Sequence, residues 1–213
     1  MSRNVVRYLT LSAIALLASP AMSAEQEFYE LRIYRNSEAT KQVAVVYYLE
    51  TALVPALNRI GVKTVGIFLP TSGKPEVPSH DVYVLIPYAD LNQFAGSGDA
   101  LAADDVYAAA ATEFMAASAK DPFYARLESR LMRAFSGMPV LEVPNRDSET
   151  RLLELRIYES HNTQKARLKV EMFNAGEIEI MKDVKLGPVF FGETLISNDA
   201  PNLTYMLSAP SEE

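Results

Sequence analysis

One short segment is written twice in this chain of 213 residues. Residues 28–35 read FYELRIYR and residues 152–159 read LLELRIYE, so five consecutive identical residues recur at a spacing of 124. Apolar residues then follow at helical spacing in both copies: Val46, Leu49, Leu53, Leu57 and Ile60 in the first, and Val170, Phe173, Met181 and Val184 in the second. A chain that repeats both a strand and the helix after it is expected to fold into two similar halves.

Each copy continues with two further apolar runs that we interpret as strands. They read TVGIFLP and DVYVLIPY in the first copy, and PVFFGETL and LTYMLSAP in the second. Residues 101–117 and 121–135 of the first copy are predicted to be helical, the second of these beginning with an Asp-Pro pair. We expect Pro55 to kink or split the first helix, and residues 140–143 to form a short edge strand.

This order of elements predicts an α+β fold built from tandem ferredoxin-like repeats. Strand–helix–strand–strand–helix is most of a ferredoxin-like unit, whose sheet carries helices on one face. Two such sheets can bury their uncovered faces against each other, which predicts a pseudo-dimer of the dimeric α/β-barrel type within one chain. The second repeat is expected to be incomplete, because the sequence stops at Glu213 soon after its third strand. We expect either a truncated chain or a barrel that a partner chain closes.

The first 24 residues have the features of a signal peptide. Arg3 and Arg7 precede the apolar run YLTLSAIALLA, and small residues follow in SPAMSA. Export without any cysteine is typical of a bacterial periplasmic protein. The predicted organisation is a signal peptide (1–24), a first repeat (25–138), a linker (139–150) and a second, truncated repeat (151–213).

Composition excludes several classes of function. The chain has 27 acidic and 20 basic residues, and this negative balance disfavours nucleic acids and anionic membranes as partners. It has no cysteine and two histidines, His80 and His161, so we expect no metal site. The segment AGSGDA lacks the Lys and Ser/Thr of a phosphate-binding loop. We expect no cofactor, no stable membrane insertion after signal cleavage, a possible small-molecule ligand and a homo-oligomer.

The repeated strand carries a row of polar side chains on one of its faces. Alternation in a strand places this Glu–Arg–Tyr row together: Glu30, Arg32 and Tyr34 in the first copy, and Glu154, Arg156 and Tyr158 in the second. If the apolar face packs on the helices, both rows line the cleft between the sheets. Glu193, which follows Gly192, is a further acid expected to reach that cleft. The rows form either an ion-paired seam without ligand, or a pocket in which an arginine binds an anionic or carbonyl group and a tyrosine donates a hydrogen bond.

Several blocks of the chain together resemble the NIPSNAP family over residues 27–209. They read YELRIY, ALNRIGVKTVGIF, DVYVLIPY, ELRIYESH, EMFNAGEIEI, GPVFFGETLI and PNLTYMLS. The resemblance implies membership of the dimeric α/β-barrel superfamily, which includes cofactor-free monooxygenases, isomerases and haem enzymes. It carries over no catalytic residues, and a shared fold alone does not imply a reaction.

Three functions are compatible with these observations. The first is a NIPSNAP-like exported protein that binds a small molecule in the cleft between the sheets. The second is a cofactor-independent monooxygenase or isomerase, in which Glu30, Glu154 or His161 is the base and an arginine stabilises an enolate. The third is an oligomeric scaffold without ligand. The residues do not decide whether the protein is an enzyme.

Overall fold

The computed structural model describes residues 25–71, 79–144 and 152–209. The strands are β1 (Phe28–Arg35), β2 (Gly66–Phe68), β3 (Val82–Tyr88), β4 (Arg126–Ala134), β5 (Leu152–Glu159), β6 (Pro188–Ile196) and β7 (Asn202–Ala209). The helices are α1 (Ala39–Tyr48), α2 (Val54–Arg59), α3 (Leu91–Ala102), α4 (Asp105–Ala110), α5 (Thr112–Met115), α6 (Thr163–Met172) and α7 (Ile178–Asp183). The predicted signal peptide and the second half of the predicted linker, residues 145–150, lie outside the described residues.

The strands form one antiparallel sheet in the order β2-β3-β1-β4-β6-β7-β5. The two sheets predicted from the sequence are therefore joined into one, through pairing of β4 with β6. The sheet curls, so that side chains of its two edge strands, β2 and β5, line the same cavity. The result is a mixed α/β fold with a curled antiparallel sheet.

Elements of the first half recur in the second half with the same lengths. Strand β1, helix α1 and helix α2 are matched by β5, α6 and α7 at a spacing of 124 residues. A single π-helical turn separates the two helices in each half, at Leu49–Leu53 and at Phe173–Glu177. Pro55 lies in the first turn of α2, just after the interruption of the first helix, but the second half has the same interruption with Glu179 at the matched position.

Three local predictions are wrong. Residues 121–135 were expected to form a helix, whereas most of them form β4, which pairs with β1 along its whole length. The predicted helix over 101–117 is divided into the end of α3, then α4 and α5. Residues 140–143 form no strand, although the backbone N–H of Glu142 donates to the carbonyl of Val189.

Short polar side chains begin three of the helices. Asp90 accepts a hydrogen bond from the backbone N–H of Gln93 at the start of α3, and Asp104 caps α4 in the same way. Asn162 caps α6 by accepting from Lys165 N–H at 2.9 Å. Such caps satisfy backbone donors that a helix leaves unpaired at its N-terminus.

Apolar residues cover both faces of the sheet. On the outer face of the first half, Leu49 and Leu53 pack with Val84 of β3. On the inner face, Leu31 of β1 and Met206 of β7 belong to one cluster that joins the two halves. Among the described residues, no helix combines the length and the apolar character needed to cross a bilayer.

Candidate functional site

The structure reverses the predicted orientation of the repeated strand. Tyr29, Leu31 and Ile33 belong to the inner cluster between the two halves of the sheet, with Phe190 and Met206. Glu30, Arg32 and Tyr34 therefore face the helices, and the prediction that they line the cleft is wrong. The same holds for β5, where Leu153, Leu155 and Ile157 line the inner cavity, so Glu154, Arg156 and Tyr158 lie on the opposite face. Strand alternation identifies which residues share a face. It cannot tell which face points inward when other residues pack against both faces of the sheet.

The polar row of the first half forms a buried hydrogen-bond cluster under the helices. The carboxylate of Glu30 accepts from Nε and Nη2 of Arg32, both at 2.8 Å. It also accepts from Ser129 Oγ at 2.8 Å and from Tyr88 Oη at 3.2 Å. Burial raises the pKa of Tyr34 to about 12, although the nearby charge of Arg32 opposes this shift. The row is thus internally satisfied, as buried polar groups need to be.

The polar row of the second half has the same internal geometry but is far more exposed. Arg156 donates from Nε and Nη2 to the two oxygens of Glu154, each at 2.8 Å. Its Nη1 donates to Tyr205 Oη at 3.2 Å, and Tyr205 Oη donates to Tyr158 Oη at 2.9 Å. Burial and the contact with Tyr158 raise the pKa of Tyr205 to about 12.

Glu193 does not reach the inner face either. A Cβ on Gly192 would lie 2.9 Å from Cβ of Met132, so Gly192 permits the close approach of β6 to β4 on the inner side. Glu193, the next residue, points to the outer side and accepts from Arg133 Nη2 at 2.7 Å. Alternation along β6 sends the carboxylate next to Gly192 outward.

The inner face encloses a cavity of about 400 Å³ between the two halves of the sheet. Its apolar wall consists of Ile33, Phe68, Leu69, Pro70, Tyr83, Leu153, Leu155, Ile157 and Met206. Polar side chains lie where β1 ends, β4 begins and the β6–β7 loop turns: Arg35, Glu128, Arg130, Asn198 and Asp199. We call this space the inner cavity. A neighbouring cavity of about 280 Å³ shares Phe68 and Leu153 with it.

Arg35 lies between two carboxylates at the polar end of the inner cavity. Its Nη1 is 2.7 Å from Asp81 Oδ2, and its Nη2 is 2.8 Å from Glu128 Oε2. The hydrogen bond from Arg35 lowers the pKa of Glu128 despite partial desolvation. Glu128 is therefore a carboxylate at neutral pH.

Arg130 connects β4 to the β6–β7 loop from a buried position. It donates from Nη1 to Thr204 Oγ1 and from Nη2 to Asp199 Oδ2, both at 2.6 Å. Asp199 also accepts from Ser197 Oγ at 2.7 Å and from Asn202 Nδ2 at 2.9 Å. Desolvation raises the pKa of Asp199, but the hydrogen bonds and the charge of Arg130 outweigh it and lower the pKa overall. This cluster fixes the polar end in one geometry.

The sequence analysis did not identify the four charged residues that line this polar end, Arg35, Glu128, Arg130 and Asp199. Glu128 and Arg130 were placed on a predicted helix, whereas the alternation Glu128, Arg130, Met132 would have indicated one face of a strand. His161 lines a separate surface pocket beside α6, and neither histidine lines the inner cavity. In the part of the chain that the structure describes, no three His, Asp or Glu side chains are grouped as metal ligands would be.

Comparisons with solved structures find the same fold. A "putative monooxygenase" from Lactobacillus acidophilus is 10% identical, covering 88% of this chain and 79% of that chain with a TM-score of 0.57. A second protein with that name, from Fusobacterium nucleatum, is also 10% identical, covering 88% of this chain and 77% of its own with a TM-score of 0.54. These identities show the fold alone, which is similar to that of dimeric α/β-barrel proteins.

Family comparison identifies the chain more closely. A NIPSNAP family protein with unknown function from Agrobacterium tumefaciens is 18% identical over 51% of this chain and 88% of that chain, with a TM-score of 0.40. A comparison with curated protein sequences found no match. The family model described as NIPSNAP matches residues 29–137, about half of the chain. The chain belongs to the NIPSNAP family.

Proposed function

We propose that this protein binds a small, mostly apolar molecule in the inner cavity. The observation that carries the proposal is the cavity itself, because about 400 Å³ lies within the usual range of small-molecule sites. An apolar wall with a few polar groups at one end is the usual composition of such a site. Leu69 and Ile157 at its margin are partly exposed, so a ligand has a route from solvent.

The second candidate function is that of a monooxygenase or isomerase. It is supported by the names of two proteins of similar fold, each called a "putative monooxygenase". Such a reaction needs a base whose pKa lies near the working pH. The two acids that line the inner cavity, Glu128 and Asp199, both have lowered pKa values and both pair with arginine. They are therefore weak bases, and the cavity favours binding over proton abstraction.

The test is binding of N-phenyl-1-naphthylamine, an uncharged dye whose fluorescence rises in apolar sites. We expect saturable binding to the wild-type protein. Ile157→Asp places a carboxylate on the cavity wall at a residue that is 38% exposed, and should weaken binding about tenfold or more. Val43→Asp, on the exposed face of α1 at 68% exposure, is the matched control and should bind normally.

Equal binding by both variants would place the dye elsewhere and contradict the proposal. Absence of saturable binding by the wild-type protein would do so as well, and would favour the scaffold without ligand. Thermal unfolding of all three proteins checks that each is folded before the titration. Turnover of an enolisable or phenolic compound without added cofactor, measured by mass spectrometry, would favour the enzyme over the binding protein.

We further propose that the two halves derive from one duplicated ferredoxin-like unit and that the protein is exported to the periplasm. The equal lengths of the matched elements support the first proposal, and the leader-like residues 1–24 support the second. N-terminal sequencing of the protein from a periplasmic fraction tests export. A chain that still begins at Met1 in the cytosolic fraction would contradict it.

A further inference from the structure

The arginines of the inner cavity already have carboxylate partners. Both terminal nitrogens of Arg35 bind acids, Asp81 and Glu128. Arg130 uses Nη2 for Asp199 and Nη1 for Thr204. Although the cavity holds two guanidinium groups, their strongest donors point at the protein itself. Arginines in a cavity often bind anions, but the geometry here does not favour that role for Arg35 or Arg130.

The charged side chains at the polar end leave no net positive charge for an anion. Arg35 pairs with Glu128 and Arg130 pairs with Asp199, so these four lining charges balance. The two further charges that act there, from Asp81 and Arg126, have opposite signs. A bound anion would lie beside these carboxylates, or would have to displace one of them from its arginine. Displacement leaves a partly buried carboxylate without its partner, which is costly.

The same carboxylates can still accept hydrogen bonds. Each ionised carboxylate offers about four acceptor positions on its two oxygens. Glu128 and Asp199 line the inner cavity and are held in place by the arginines. A hydroxyl or N–H group of a ligand can therefore donate to them without disturbing the ion pairs.

From this geometry we infer that the inner cavity selects against anions and accepts uncharged apolar molecules that carry a hydrogen-bond donor at one end, such as an apolar alcohol, amide or arylamine. The inference rests on the proposed function, because it names the chemical class of the ligand for that same cavity. It differs from the alternative drawn from the sequence, in which Arg32 or Arg156 binds an anionic or carbonyl group.

Two dyes that differ by a single sulfonate test this selectivity. N-phenyl-1-naphthylamine is neutral and has one N–H donor, and 8-anilino-1-naphthalenesulfonate adds one negative charge to the same skeleton. We expect the neutral dye to bind at least tenfold more tightly at low salt. We expect added salt to narrow the difference, since it screens charges at the partly exposed end of the cavity.

A variant separates electrostatic exclusion from the greater hydrophobicity of the neutral dye. Glu128→Gln removes one negative charge at the polar end and keeps the size of the side chain. It should lower the ratio of the sulfonate's dissociation constant to that of the neutral dye about fivefold. This is the effect expected of one charge several ångströms away in partly hydrated surroundings. Glu50→Gln, an exposed acid on the first π-helical turn, removes the same charge far from the inner cavity and should leave the ratio unchanged.

Each result decides between the two proposals. Equal or tighter binding of the sulfonate by the wild-type protein overturns the inference and leaves the proposed function standing. An unchanged ratio in Glu128→Gln overturns it too, because the preference then has another cause. If neither dye binds saturably, the proposed function fails and the inference fails with it.

Discussion

The repeated segment places chemically identical Glu–Arg pairs in two different surroundings. Glu30 is 5% exposed and accepts from Tyr88 and Ser129 besides Arg32. The side chain of Glu154 is 55% exposed, and its pair with Arg156 lies at the surface of the outer face. The sequence of the two segments is the same at these positions, so only tertiary structure distinguishes them. Alternation predicted correctly that Glu and Arg share a face in each segment, but it could not predict which pair would be buried.

Because Glu30 is buried and Glu154 is exposed, we expect the same Glu→Gln substitution to destabilise the protein more at the first position than at the second. Glu30→Gln leaves the Arg32 guanidinium without a counter-charge in a buried site and should lower the free energy of unfolding by about 3 kcal/mol. Glu154→Gln breaks the same pair in a hydrated site and should cost about 1 kcal/mol or less. Urea unfolding of both variants provides the measurement. Equal losses in the free energy of unfolding would mean that the buried pair stabilises the protein no more than the exposed pair does.

Pairing of β4 with β6 joins the two halves into one sheet, and we call this pairing the β4–β6 seam. The register covers four residue pairs and is shifted between Leu131 and Met132. Close approach at this seam depends on Gly192, and Arg130 adds a side-chain connection from β4 to the loop before β7. A short, irregular ladder is expected to rely on such additional contacts.

Strand β4 also shows where prediction from the sequence failed at this scale. Its residues Arg, Leu, Glu, Met and Ala are all good helix formers, so local propensity favours a helix. Pairing with β1 on one side and β6 on the other satisfies the backbone of a strand here and outweighs that propensity. The strands with β-branched and aromatic residues, such as β3, were predicted correctly because propensity and pairing agree there.

Removal of Arg130 should loosen the seam and leave the rest of the sheet intact. Arg130→Met leaves Asp199 without its buried partner, so we expect amide hydrogen exchange to become faster in β6 and β7 but not in β1 and β3. Arg126→Met is the matched control, since Arg126 is an exposed arginine on the same strand, outside the residues that pair with β6. Uniformly faster exchange in Arg130→Met, or an equal effect of both variants, would show that Arg130 does not hold the seam.

At the scale of the whole molecule, the sequence predicted most of the strands and helices better than it predicted the site. The strands and helices of each half are recognisable because their periodicities are strong. The inner cavity is not, because it forms only when a curled sheet brings β1, β2, β4, β5 and the β6–β7 loop together. Its charged end comes from residues distant in the chain, of which only Arg35 lies in the repeated segment.

The free energy of unfolding should depend on pH, in a direction that follows from the pKa shifts of four acidic residues. The pKa values of Glu128, Glu154, Asp104 and Asp199 are all lowered in the folded state, where arginines or hydrogen-bond donors stabilise the charged form. The unfolded chain therefore binds protons at a higher pH than the folded protein does. The stabilisation is present above the unfolded pKa values, about 4, and is lost as the pH falls through the lower folded values.

We therefore expect the free energy of unfolding to change little between pH 7 and about pH 5.5, and to fall steeply below about pH 4.5. Urea unfolding at a series of pH values measures this profile. In the Glu128→Gln, Asp199→Asn double variant, two of the groups no longer titrate, so the fall should be shallower even though the protein is less stable at pH 7. An identical slope in the variant would mean that the acids of the inner cavity do not contribute to acid unfolding. A shallower slope would show that the charged end of the proposed binding site also stabilises the joined sheet, because Arg130 and Asp199 connect β4 to the β6–β7 loop.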